Sequence, residues 1–281
     1  MASLTYSSSP AQSNHPTELR IVLIGGRESN GGLKGKSSAG NFILGQNVFN
    51  TSRRTAQSEA RQQEVFSRRV TVVDTPGWCW VYPREDTPKL DQIEIQNSVH
   101  LCPPGPHVFL LVIPVSLYLP ELVKASLKQH LELLNADVFK IWKHTLVLFT
   151  YGDWLGVKTV EERIESDEGL QWIVNKCENR YHVLNNKDHS DKTQVKELLE
   201  KIEEMWAGNE DPYYEVELDR AFQHDSVEEG NHVCCLNRNI LLFNSQRVGF
   251  WYVFQNIYIV CLLYMISEPT RSERKCKMCE T

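Results

Sequence analysis

The sequence predicts an α/β fold, a mostly parallel sheet flanked by helices on both faces. Three observations predict it. Short apolar runs recur along the chain and read as buried strands. Between them lie segments with apolar residues at helical spacing. The strand-like runs end in polar or glycine-containing loops, and in sheets of this kind such loops converge on a ligand beyond the carboxyl ends of the strands.

Taken in order, residues 1–18 are small and polar, carry Pro10 and Pro16, and read as a disordered tail. Arg20 to Ile24 is the first buried strand, ended by Gly25-Gly26, and Ser37 to Leu44 reads as the helix that follows. Val70 to Val73 is the second strand, stopped by Asp74-Thr75-Pro76-Gly77. Thr87-Pro88 predicts a helix start, with Thr as N-cap and Pro at the first helical position, and the helix runs to about Leu101. Val108 to Val115 is a third strand, and Pro120 opens a helix with the stripe Leu122, Val123, Leu127, Leu131 and Leu134. Thr145 to Phe149 is a fourth strand. Val160, Ile164, Trp172, Ile173 and Cys177 mark one further helix. Tyr181 to Leu184 is a short last strand, and Val195, Leu198, Leu199, Ile202 and Met205 mark a last amphipathic helix.

The chain has 281 residues and a net charge of −6, which suits one large domain with tails and gives no basic surface for nucleic acid. Its 8 cysteines are too scattered for a disulfide framework. The first residues lack the apolar stretch of a secretory signal, so a reducing, cytoplasmic setting is expected. Ala2 excludes myristoylation, and Cys279 sits one place too late for prenylation.

Gly35-Lys36-Ser37-Ser38 carries the functional reading. Glycine lets the backbone approach a phosphate, and the amides at a helix start point at the anion. Lys36 would reach the β- and γ-phosphates, and the Ser37 hydroxyl would bind Mg²⁺. A strict phosphate loop has another glycine five positions before Gly35, but Asn30 stands there. Counted from Gly25, the loop is about five residues too long. Asp74 suits the metal shell and Gly77 a γ-phosphate contact. Asp153, in Thr150-Tyr151-Gly152-Asp153, suits the N1 and N2 donors of guanine. Asn185-Asn186 follows the last strand, where a loop can close over a base. Each motif alone also reads as an ordinary loop or turn.

Together these stretches resemble the GIMAP family, the immune-associated, septin-like P-loop GTPases. The likeness rests on Leu19 to Leu23, Gly35 to Gly45, Asp74 to Gly77, Pro104-Gly105-Pro106-His107, Thr150 to Asp153 and Asn179 to Asn186. It implies a G domain over residues 19–222, with a variable, coiled or helical C-terminal tail over 223–281. It also implies GTP or GDP with Mg²⁺, and homo- or hetero-oligomers with related GTPases, often at intracellular membranes. Under it Gly35, Lys36, Ser37 and Ser38 hold phosphate, Ser37 and Asp74 serve the metal, and Gly77 belongs to the second phosphate motif. Asp153 and Asn186 carry over to base recognition. Thr55 is the candidate switch threonine, with Thr51 and Ser58 as rivals. Trp78 stands where related enzymes place a water-orienting glutamine, so slow hydrolysis is expected.

Val248 to Ile266 is an apolar run of about nineteen residues, near the minimum for a membrane span. A tail anchor, a helix packed on the domain and a tail without a role all remain open for it. The leading functional reading is a GTP/GDP switch. The alternatives are a catalytically inactive GTPase-like scaffold and a P-loop phosphotransferase or ATPase.

Overall fold

The computed structural model describes residues 17–27, 35–185 and 191–216, all within one unit, Met1–Arg220. Asn186, the N-terminal tail to residue 16 and the apolar run 248–266 lie outside the described residues. The main sheet has six strands in the order β3-β4-β1-β6-β7-β8. They are β1 (Glu18–Ile24), β3 (Glu59–Val65), β4 (Arg68–Asp74), β6 (Val108–Pro114), β7 (Thr145–Thr150) and β8 (Tyr181–Val183). Only β3 is antiparallel to its neighbour. A separate two-residue parallel bridge pairs β2 (Gly26–Arg27) with β5 (Trp78–Cys79).

Alternation along the central strands sends side chains to two cores. From β1, Leu19, Ile21 and Leu23 face α1 (Gly35–Leu44) and α7 (Thr193–Gly208). Val22 and Ile24 face the opposite layer. That layer is built from α2 (Lys89–Asn97), α3 (Glu121–Leu131), α4 (Val138–Lys143), α5 (Val160–Glu165) and α6 (Glu168–Lys176). Burying each such Val, Leu or Ile contributes about 1.5–3 kcal/mol, so a one-residue slip of β1 would exchange the two faces at high cost. All five apolar positions expected of the last helix are buried in α7. Arg68 and the buried Glu203 form an ion pair that ties β4 to this helix.

The chain runs from β1 through α1 to β4 on one side of β1, and then to β6 on the other side. The direction of winding therefore reverses at β1, which opens a crevice at the carboxyl ends of β1, β4 and β6.

Several expected boundaries differ. Pro88, not Thr87, is the N-cap of α2, and its carbonyl accepts from Gln92 N. The buried Thr87 instead turns its hydroxyl to His130 Nε2 at 2.8 Å. Helix α2 stops at Asn97, and a 3-10 turn over Ser98–Leu101 completes the segment. Leu122 lies on the solvent side of α3, 60% exposed, so the stripe there is narrower than expected. The single helix expected over 160–177 is two. Asp167 breaks it by accepting from Gly169 N and Leu170 N, which caps α6 afresh. Leu184 lies past the end of β8, and Val115 past the end of β6. Strand β3 carries no apolar pattern that marks it in the sequence, and helix α4 is too short for its spacing to mark it.

Candidate functional site

Four polar groups meet at the crevice. Ser37 in the first turn of α1 donates its hydroxyl to Asp74 Oδ2 at 2.6 Å. Thr55 donates to the same oxygen at 2.9 Å, and the two hydroxyls lie 3.2 Å apart. Asp74, the last residue of β4, is buried, and its other oxygen, Oδ1, has no hydrogen-bond partner among the described residues. Lys36 donates to Gly25 O at 3.2 Å. Its pKa is lowered, first by burial and then by Arg27, while Asp74 opposes the shift.

Two glycines make room for this cluster. A Cβ on Gly77 would lie 2.7 Å from Lys36 Nζ, so the missing side chain is what admits the ammonium group. Gly25 has φ +145°, and a Cβ there would lie 2.7 Å from the carbonyl of Val112. Ser38 occupies the same helical turn as Ser37.

The approach of Thr55 is fixed from both sides. Buried Asn41 of α1 accepts from Val48 N and Phe49 N and donates to Phe49 O, anchoring the chain that leaves the helix. Arg54 pairs with buried Asp91 of α2. Ser58, one of the rivals, is committed elsewhere: its hydroxyl donates to Glu94 O at 2.8 Å and its amide to the Glu94 carboxylate at 2.8 Å. Thr51 forms no hydrogen bond with the cluster among the described residues. The structure thus brings Thr55, and neither rival, to Asp74.

Beyond Gly77 the chain turns inward. Trp78 is 1% exposed and stacks on His130 of α3 with centroids 4.7 Å apart and an angle of 7°. His130 Nδ1 lies 2.7 Å from the Ser126 carbonyl, which only accepts, so Nδ1 carries the proton. Nε2 then accepts from the Thr87 hydroxyl. Burial lowers the His130 pKa to about 4, with Arg84 adding to the shift and the Ser126 carbonyl opposing it. Nothing in the sequence patterns singled out this histidine.

The second half of the crevice begins where β7 ends. The Thr150 hydroxyl is buried, has no partner among the described residues, and lies 3.4 Å from the position of a Cβ on Gly35. The end of β7 therefore abuts the start of α1. Tyr151 then takes a left-handed conformation, φ 60°, and Asp153 sits part-buried in a 3-10 turn over Gly152–Leu155. Gly152 N donates to Leu184 O at 2.9 Å, which clamps this turn to the loop after β8, where Asn185 lies. Asn186, the other expected base contact, lies outside the described residues.

The site also includes Arg27, which belongs to no sequence motif. It is held by its pairing opposite Cys79, and its Nε donates to Gly77 O at 3.1 Å. Among the described residues no group of three or more His, Cys, Asp or Glu side chains could hold a metal ion. A cation here would rest on hydroxyl and carboxylate oxygens together with oxygens brought by a ligand.

Comparison with known proteins agrees with this geometry. The model of the AIG1 family matches residues 19–232. The human GTPase IMAP family member 8 is 33% identical over 211 residues, covering 72% of this chain and 30% of its own length. Immune-associated nucleotide-binding protein 5 of Arabidopsis thaliana is 30% identical over 206 residues, covering 70% of this chain and 64% of its own. The chain thus spans under a third of the mammalian relative. Among solved structures, Toc33 from Arabidopsis thaliana in complex with GDP and Mg²⁺ superposes with a TM-score of 0.51. It shares 18% identity and covers 67% of this chain and 84% of its own. That likeness is one of fold, that of a P-loop GTPase.

Proposed function

The chain belongs to the AIG1 family, and from that premise we propose that its crevice binds GTP and GDP with Mg²⁺. The observation that carries the reading is the convergence of Ser37, Thr55 and Asp74 on one point beside the Lys36 ammonium group. Backbone amides at the start of α1 and Lys36 would hold the phosphates. A Mg²⁺ ion fits the residues present. Hard oxygens are the ligands it prefers, and the unpartnered Asp74 Oδ1 is an acceptor suited to a metal-bound water. When bound, the ion would neutralise charge on the β- and γ-phosphates. Ser37 would turn its hydroxyl from Asp74 to the ion, and Thr55 is the group that would report the γ-phosphate.

Asp153 is the proposed guanine selector, because one carboxylate accepts from both N1 and N2 of that base and adenine has no such donor pair. Asp153→Asn replaces one acceptor oxygen with a donor that meets the guanine N2 group head-on. GTP affinity should fall at least about tenfold, and binding of XTP, which carries a carbonyl at that position, should gain.

We also propose that hydrolysis is slow. The residue after Gly77 is Trp78, whose ring is packed into the core against His130. No side chain at that position can orient an attacking water. Nucleotide-dependent oligomers are proposed as well. Leu90 and Ile93 on α2, 75% and 49% exposed, are apolar groups beside the switch segment. In a related fold, dimerisation is important for the GTPase activity of the chloroplast translocon components atToc33 and psToc159. No helix among the described residues is long and apolar enough to cross a membrane. Tail anchoring through residues 248–266 therefore stays a proposal resting on sequence.

The test is a titration of the full chain with labelled GTP, GDP and ATP, with Lys36→Ala alongside. A preference for guanine nucleotides, with binding that is lost in Lys36→Ala, supports the reading. Equal affinity for ATP, or no binding at all, refutes it.

A further inference from the structure

The phosphate end of the crevice holds two cations. Lys36 Nζ lies 2.7 Å from the point a Cβ on Gly77 would occupy, and the Arg27 Cβ lies 3.5 Å from that same point. Arg27 is not placed by chance of a flexible chain. Gly26 pairs opposite Trp78 and Arg27 opposite Cys79 in a parallel bridge. Gly26 lies directly under the Trp80 ring, where a Cβ would be 2.5 Å from the nearest ring atom. The Arg27 Nε–H then bonds the Gly77 carbonyl at 3.1 Å.

Among the described residues the cluster holds two cations and one carboxylate. Asp74 is the carboxylate that meets Ser37 and Thr55, and Lys36 feels both its charge and that of Arg27. Arg27 lowers the pKa of Lys36, so each cation stands within the other's field. Holding two like charges close together is unfavourable, and a multiply charged anion such as a phosphate relieves it. The missing side chain of Gly77 is what lets the Lys36 ammonium group come this close to Arg27.

We propose that Arg27 is a ligand of the terminal phosphate, supplied by the same chain, and that it sets the preference for a nucleoside triphosphate over a diphosphate. The inference rests on the reading of the crevice as a guanine-nucleotide site. Gly77 is the γ-phosphate contact in that reading, and the bond from Arg27 to its carbonyl places the guanidinium at that end of the pocket. Lys36 sits at the root of α1 and serves both nucleotides. Arg27, held to the Gly77 carbonyl, meets only the phosphate that GDP lacks. Arginine suits this task because its donors are rigidly arranged and always charged.

The experiment measures dissociation constants of the full-length wild-type chain for GDP and for GMPPNP, a triphosphate analogue, in Mg²⁺. It repeats them for Arg27→Gln, Arg27→Lys and Lys36→Ala. Gln keeps a donor for Gly77 O but no charge. Arg27→Gln should weaken GMPPNP binding about ten- to a hundredfold, the worth of one charge-assisted hydrogen bond, and change GDP binding under about threefold. Arg27→Lys should keep part of the triphosphate preference, and Lys36→Ala should weaken both nucleotides. A thermal melt of each variant confirms folding; if Arg27→Gln does not fold, the reduced ratio in Arg27→Lys carries the same prediction. Equal losses for both nucleotides, or an unchanged ratio in Arg27→Gln, would overturn the role of Arg27 while leaving the nucleotide site intact. A wild-type chain that binds neither nucleotide would overturn both.

Discussion

Acidification from pH 6.5 to 5 should destabilise this domain, and the histidines give the size of the effect. His107, His130 and His182 are 6%, 0% and 5% exposed, and each has its pKa lowered to about 4. Burial is the first cause in all three. Arg20 and His144 add to it at His107, Arg84 at His130 and Lys201 at His182. In the unfolded chain an imidazole titrates near 6.5. Between about pH 6.5 and 4 the unfolded state binds protons that the folded state refuses, so stability falls as pH falls. Each histidine contributes about 1.4 kcal/mol per pH unit across that window, and the three together about 4 kcal/mol per unit. Because the unfolded imidazole is only half protonated at pH 6.5, a fall from 6.5 to 5 then removes about 5 kcal/mol, a large part of the roughly 5–15 kcal/mol stability of an ordinary domain. The assay is urea unfolding of the chain at a series of pH values from 7.5 to 5. His130→Leu removes one titrating group and should flatten the slope by about 1.4 kcal/mol per unit, whatever its effect at neutral pH. A wild-type slope below about 1 kcal/mol per unit would show that these rings protonate freely in the fold, and the argument from burial would be wrong.

Two further outcomes test the crevice directly. Gly25→Ala places a Cβ 2.7 Å from a backbone carbonyl at φ +145°, so neither partner can yield cheaply. It should cost more than about 3 kcal/mol, seen as a large drop in melting temperature, and an unchanged melt would contradict the geometry. Ser37→Ala removes a donor to buried Asp74 and should cost the free protein about 1–2 kcal/mol. It should also abolish the part of nucleotide affinity that depends on Mg²⁺, measured by titration with the metal and with a chelator. A metal dependence equal to that of the wild type would exclude Ser37 as a ligand.

The central strands were legible because β1, β6 and β7 are buried on both faces and so read as unbroken apolar runs. Strand β3 was not legible. Its sequence, Glu-Ala-Arg-Gln-Gln-Glu-Val, has one partner strand and no deeply buried face, so apolar alternation is missing. The split between α5 and α6 turns on Asp167, whose capping bonds outweigh the continuous helical spacing around it. Thr87 looked like a cap because its type suits one, but His130, distant in sequence, claims its hydroxyl. At the site, Lys36, Ser37 and Asp74 announced themselves because phosphate chemistry ties each to a short local motif. Thr55 could be named but not separated from Thr51 and Ser58, since the choice depends on how Asn41 and Asp91 hold the intervening chain. Arg27 belongs to no motif. Its place follows from a two-residue bridge to Trp78-Cys79, some fifty residues away, and that pairing leaves no mark in local composition.

The polar character of β3 also bears on how copies of this chain could meet. It forms one border of the sheet, where backbone amides and carbonyls on its outer side are available to an incoming strand. Glu59, Arg61 and Glu64 place charge along that border, which discourages one sheet from continuing into the next. The opposite border, β8, is only three residues long and offers a short template. Assembly by strand addition is thus disfavoured at both margins. Self-association by the proposed route would instead use side chains on the helical surfaces, such as the exposed Leu90 and Ile93 of α2.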